Sequence, residues 1–98
     1  MSEAESVQVL SVESTPNPNA RKFNLSASVS AGPRSFRSPE EGVGDEQAAP
    51  FFAVPGVAVL LINGSWISVN KAAEADWRTV ERGVRAAVAS LSPTAEGQ

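Results

Sequence analysis

The sequence predicts an α+β domain: a small, mainly antiparallel sheet in the order strand, strand, helix, strand, strand, helix, with both helices on one face. Three observations carry that prediction. Short β-branched runs occur at residues 7–12 and 57–62, each of strand rather than helix length. Asn63-Gly64 separates the second run from another apolar segment and is the strongest two-residue hairpin signal. Between residues 73 and 91, Trp77, Val80, Val84, Val88 and Leu91 recur in steps of three and four, the spacing of an amphipathic helix.

In chain order, residues 1–5 are small and acidic and read as a frayed tail. Val7-Gln8-Val9-Leu10-Ser11-Val12 is the first strand. In Thr15-Pro16-Asn17-Pro18-Asn19, each proline fixes φ near −65° and removes an N–H donor. Thr15 and Asn17 precede prolines and are pushed toward extended geometry, and Asn19 is expected to close an Asx turn. A second strand follows at about 21–28, where Phe23 and Leu25 alternate with Lys22 and Asn24. Residues 28–38, rich in Ser, Gly and Pro, read as a loop with a short extended piece near 34–37.

Pro39-Glu40-Glu41 suits a helix start, but Gly42 and Gly44 interrupt it, and a start at Asp45, which can cap, fits better. Pro55-Gly56 ends that helix. Residues 57–62 and 65–69 form the hairpin. A two-residue Asn63-Gly64 loop would set Leu61 opposite Trp66, Leu60 opposite Ile67 and Ala58 opposite Val69. Leu60, Ile67, Ala58 and Val69 would then share one face, with Leu61, Trp66, Val59 and Ser68 on the other. In the last helix Glu74–Arg78 and Glu81–Arg85 have the i,i+4 spacing of ion pairs. Gly83 costs about 1 kcal/mol against alanine unless a neighbour needs the space. Pro93 marks the stop, and residues 92–98 read as a loose tail around an ordered core of about 6–91.

The 98 residues are expected to form a single domain, 1–98. With no cysteine, histidine or tyrosine, disulfides, thiolate ligation and the usual histidine-activated nucleophiles are unavailable. The net charge of −3 argues against a nucleic-acid or anionic-membrane surface. The longest apolar run is too short to span a bilayer, and Met1 to Ser6 lacks a signal-peptide apolar region. A cytoplasmic monomer that is not an enzyme is the expectation.

Several clusters invite a functional reading beside a plainer one. Gly42-Val43-Gly44-Asp45 lacks the third glycine and the lysine of a phosphate loop and reads as a flexible joint. Glu40, Glu41, Asp45 and Glu46 could offer only hard oxygen ligands and read as a solvated helix start. Arg78, Arg82 and Arg85 form a stripe on the last helix, a solvated face partly paired with Glu74 and Glu81 or, as the sharper alternative, a docking surface for an acidic partner. Trp77 reads as core. Trp66 reads either as core or, with Leu61, as a partner-binding patch on an uncovered sheet face. Asn17 and Asn19 either shape the turn or recognise a partner.

Thr15-Pro16-Asn17-Pro18-Asn19-Ala20-Arg21-Lys22-Phe23 resembles the signature of the N-terminal domain of the Nfu/NifU-type iron–sulfur scaffold proteins. Ala49-Pro50-Phe51-Phe52-Ala53-Val54-Pro55-Gly56-Val57 is similar to that family's helix-to-strand passage. Trp66-Ile67-Ser68-Val69-Asn70-Lys71 and Asp76-Trp77 stand where the family has FITVTK and DW. The likeness spans roughly residues 7–91, with Arg21 at a place that is usually apolar in the motif. It implies a stand-alone form of that N-terminal domain, acting as an adaptor in iron–sulfur cluster assembly or delivery. A partner, a scaffold, carrier or recipient apoprotein, would hold the cluster, because this chain has no cysteine to ligate it. The expected interaction residues are Thr15, Pro16, Asn17, Pro18, Asn19, Lys22, Trp66 and Lys71, with no catalytic or metal-binding residue. The alternative is a small-molecule or ion-binding regulatory domain using a pocket between the loop and the last helix.

Overall fold

In the computed structural model, which describes residues 7–93, five strands form one sheet in the order β1-β2-β5-β4-β3. They are β1 (Val9–Ser14), β2 (Ala20–Leu25), β3 (Arg34–Phe36), β4 (Val57–Asn63) and β5 (Trp66–Lys71). Every neighbouring pair is antiparallel. The alternation read in β2 is kept: Phe23 and Leu25 are buried while Lys22 and Asn24 are half-exposed. β2 and β5 pair directly, Phe23 against Ile67 and Lys22 against Ser68, so the motif-bearing strand lies between the first strand and the hairpin.

Three helices cover one face: α1 (Pro39–Gly42), α2 (Ala49–Phe52) and α3 (Trp77–Ala89). Ala48, Phe51, Val80, Val84, Ala87 and Val88 bury themselves against Phe23, Leu60, Ile62, Ile67 and Val69. The fold class is the expected α+β with all helices on one side, and the differences are local. The helix expected from Asp45 is instead two short pieces: α1 does start at Pro39 and runs through Gly42, which is buried, and α2 starts only at Ala49. Asp45 does not cap α2, whose N-cap is Ala48 with no side-chain cap. Its Oδ1 instead accepts from Gln47 N–H at 2.9 Å and Ala48 N–H at 3.0 Å, closing the turn that leads into α2. The extended piece near residue 34 is a true edge strand, with Arg34 opposite Ile62.

The hairpin register differs from the expected one by two residues. Asn63 faces Trp66, Ile62 faces Ile67 and Leu60 faces Val69, so the turn is Gly64-Ser65. The reason is backbone geometry. Gly64 has φ +63°, and no non-glycine among the described residues has positive φ. A turn with Asn63 in its first central place would require positive φ at both central residues, whereas one starting with glycine needs it only there. A shift of two keeps each side chain on its face. Leu60, Ile67 and Val69 are therefore in the core as expected, and Leu61, Trp66, Val59 and Ser68 are on the other side.

α3 starts at Trp77, where Asp76 Oδ2 caps Thr79 N–H at 3.3 Å. Glu74 is left ahead of the helix and makes no ion pair with Arg78, while Glu81 and Arg85 do pair, at 2.9 Å. Gly83 has the close neighbour that its cost requires. A Cβ there would fall 2.5 Å from Val54 Cγ1, so the missing side chain is where the end of α2 rests on α3.

Candidate functional site

The turn between β1 and β2 is built from its own side chains. Thr15 Oγ1 accepts from Asn17 N–H at 3.1 Å, and its single proton faces the carbonyls of Asn17 at 2.9 Å and Ala20 at 3.0 Å. The Asx turn belongs to Asn17, whose Oδ1 accepts from Asn19 N–H at 2.9 Å. Asn19 was expected to make it. Its Oδ1 instead faces the end of β5, where it accepts from Lys71 Nζ at 3.1 Å.

Distant parts of the chain then clamp the turn. Lys71 N–H donates to the Asn19 carbonyl at 2.8 Å, extending the β2–β5 ladder into the loop. Lys71 Nζ also lies 3.3 Å from the carbonyls of Ala72 and Ala73, so its three donors all point inward. Trp77 Nε1–H donates to the Pro18 carbonyl at 2.9 Å. The Arg21 guanidinium stacks 4.7 Å from the centre of the Trp77 ring and pairs with Glu81 at 3.2 Å. Glu81 also holds Arg85. Trp77 is thus half-buried at the margin of the core, packed against it, with Arg21 and Lys71 over its ring and Lys71 Nζ at 5.9 Å from the ring centre.

The outcome is a stiff turn with an outward surface. Pro16, Asn17 and Pro18 are exposed while Thr15 and Asn19 are half-buried. Trp77, Arg21 and Lys71 lie between the loop and α3. Of the expected interaction residues, Thr15, Pro16, Asn17, Pro18, Asn19 and Lys71 come together here. Lys22 and Trp66 do not. Lys22 sits on the uncovered sheet face with its ammonium 4.9 Å from the centre of the Trp66 ring, and Asn24 beside them donates to Glu13 Oε2 at 2.7 Å. Alternation along β2 sends Arg21 to the helix side and Lys22 to the open side. Lys22 therefore stands apart from the asparagines of the turn.

Sequence reasoning missed Arg21, Trp77 and Glu81 as parts of this arrangement. The signal for Arg21 was present: a charged residue at a usually apolar place needs a partner, and Trp77 with Glu81 supplies it. The acidic run is accounted for structurally. Arg34 pairs with Asp45 and donates to Gln47 Oε1 at 2.6 Å, and Glu41 Oε1 accepts from Arg37 N–H at 2.8 Å. The Arg34 hydrogen bond, aided by the Gln47 and Ala48 N–H groups, holds the Asp45 carboxyl below its ordinary value although burial opposes it. Among the described residues no group of three or more His, Cys, Asp or Glu is placed to hold a metal ion, and no helix is long and apolar enough to cross a membrane.

Comparisons with known proteins agree with this architecture. Protein SAV1430 from Staphylococcus aureus, in its crystal structure, superposes with a TM-score of 0.68 at 27% identity, over 82% of this chain and 96% of that one. A Staphylococcus epidermidis protein, SeR13, gives 0.55 at 23% identity, over 79% and 90%. A NifU-like protein from Saccharomyces cerevisiae gives 0.71 at 19% identity, over 88% and 79%, a likeness of fold. No curated protein matches in sequence. The family model described as the N-terminal domain of the scaffold protein Nfu/NifU matches residues 10–93. That match takes in the turn, the sheet and α3, and the chain belongs to the Nfu/NifU N-terminal family.

Proposed function

We propose that this chain is a non-enzymatic adaptor in iron–sulfur cluster assembly or delivery that docks to a cluster scaffold, carrier or recipient apoprotein through residues 15–19. Membership of the Nfu/NifU family connects it to that process. The observation that carries the docking role is the pairing of exposure with order in the turn: Pro16, Asn17 and Pro18 face outward, while Thr15, Lys71 and Trp77 hold the backbone beneath them. A surface already fixed loses little conformational entropy on binding. The Asn17 Oδ1 is spent on the turn, which leaves its NH₂ as an outward donor. The cluster itself is cargo. The sequence has neither cysteine nor histidine, so its own side chains do not fit the usual cluster ligands and a partner supplies them.

Asn17→Asp tests this, since it keeps the Oδ1 acceptor that closes the turn and removes the outward donors. The assay is calorimetric titration with a purified Cys-x-x-Cys scaffold domain from the same organism, cluster-loaded and apo. The expected result is binding weakened about tenfold, or roughly 1.4 kcal/mol, with an unchanged melting temperature. Equal affinity of the wild type and the Asn17→Asp variant would remove the loop from the interface.

A further inference from the structure

α2 is a single turn and covers only part of α3. Beside it a groove of about 620 Å³ remains, whose walls include Pro50, Ala53 and Val54 on one side and Gly83, Ala86 and Ala87 on the other. Ala53 and Ala86 are exposed, so the groove opens to solvent. Arg82 stands on its rim and also belongs to a second depression of about 370 Å³ framed by Arg78, Glu81, Arg82 and Arg85. The apolar trough and the cationic row are therefore one continuous surface.

The charge on that row is not neutralised from within. Glu81 is its one carboxylate, and it is already shared between Arg85 and Arg21. Arg78 and Arg82 are exposed and make no ion pair among the described residues. The surplus cations are concentrated here although the chain as a whole carries −3. They stand one helical turn apart, so carboxylates at i and i+4 of a facing helix would match their spacing.

We infer that this surface is a second docking site, separate from the turn, which takes an acidic amphipathic helix of a partner protein. Apolar residues of that helix fill the trough against Val54 and Ala86, and its flanking carboxylates meet Arg78 and Arg82. Gly83 is part of the device, because it lets Val54 rest against α3 and form the trough wall. The site stands whether or not the turn docks a scaffold.

Fluorescence anisotropy with two labelled 16-residue helical peptides tests this. Both carry leucines at i, i+3 and i+7. One has glutamates on the flanks, the other lysines at the same places. The acidic peptide is expected to bind, more weakly as salt rises, and the basic one not to bind. Arg78→Glu with Arg82→Glu should weaken the acidic peptide at least about tenfold and admit the basic one. Ala86→Glu, which leaves both arginines in place, should block the trough. Because these three residues are exposed, melting temperatures are expected to stay near the wild-type value and serve as the folding control. Equal binding of both peptides, indifference to the charge reversal, or no binding at millimolar peptide would overturn the inference. So would concentration-dependent self-association, or adhesion to phosphatidylserine vesicles, abolished by the same reversal without any peptide binding, since those name a second copy or a lipid surface as occupant.

Discussion

Replacing Thr15 by valine should loosen the turn without changing its shape. Valine is close to threonine in outline but lacks the oxygen that accepts from Asn17 N–H at 3.1 Å and donates to the carbonyl of Asn17 or Ala20. One donated and one accepted bond are lost. Each would count for about 0.5–1.5 kcal/mol, and the exposed Asn17 groups recover part of that from water. The net loss is then roughly 1–2 kcal/mol. For a domain of this size each kcal/mol moves the melting temperature by about 4–8 °C. The assay is thermal unfolding of the wild type, Thr15→Val and Thr15→Ser, with amide hydrogen exchange at Asn17 and Asn19 as the local readout. Serine keeps the hydroxyl and should retain most of the stability and protection. Faster exchange at both amides in the valine variant alone is the expected pattern. Valine and serine variants with equal stability and equal protection would refute the claim that this hydroxyl organises the turn.

Three further outcomes follow from the same geometry. Lys71→Met keeps the stem but removes the ammonium from Asn19 Oδ1; exchange at Asn19 should rise while the core amides of β4 stay protected, and equal loss across the sheet would contradict the assignment. Gly83→Ala gains about 1 kcal/mol in helix propensity but drives a methyl against the branched Val54. It should destabilise the wild type and stabilise a Val54→Ala background, a sign reversal that a double-mutant cycle in urea would read. The lowered Asp45 pKa means that its pairing contributes stability above the ordinary carboxylate value and loses it as pH falls below about 4 toward the folded-state value. Asp45→Asn should therefore flatten the stability profile in that acidic window, and a wild-type slope that persists in the variant would assign it to other carboxylates.

What was legible in the sequence was local and periodic. The three-and-four spacing of Trp77, Val80, Val84, Val88 and Leu91 located α3, and the alternation around Phe23 located β2, because burial on one face imposes those periods directly. The identity of both sheet faces survived a wrong turn assignment, since side-chain direction depends on parity and not on the turn itself. Other features were not legible because their partners are remote. Lys71 and Trp77 reach the turn across 52 and 59 residues of sequence, and no local pattern reports such a meeting. The division of Lys22 from the asparagines needed the strand's starting position, which fixes which neighbour faces the helices. The edge strand β3 is three residues long; it was legible as a short extended piece, but too short for a period to show which face each side chain takes.

The central claim is that a rigid, outward-facing turn is the contact through which this chain works. A titration of the isotopically labelled chain with the cluster-bearing scaffold domain, followed by amide chemical shifts, addresses it residue by residue. The account predicts that the largest changes fall on Thr15, the Asn17 backbone and side-chain amide, Asn19 and the Trp77 indole N–H. Saturable binding whose changes lie elsewhere, with those signals unmoved, would contradict it.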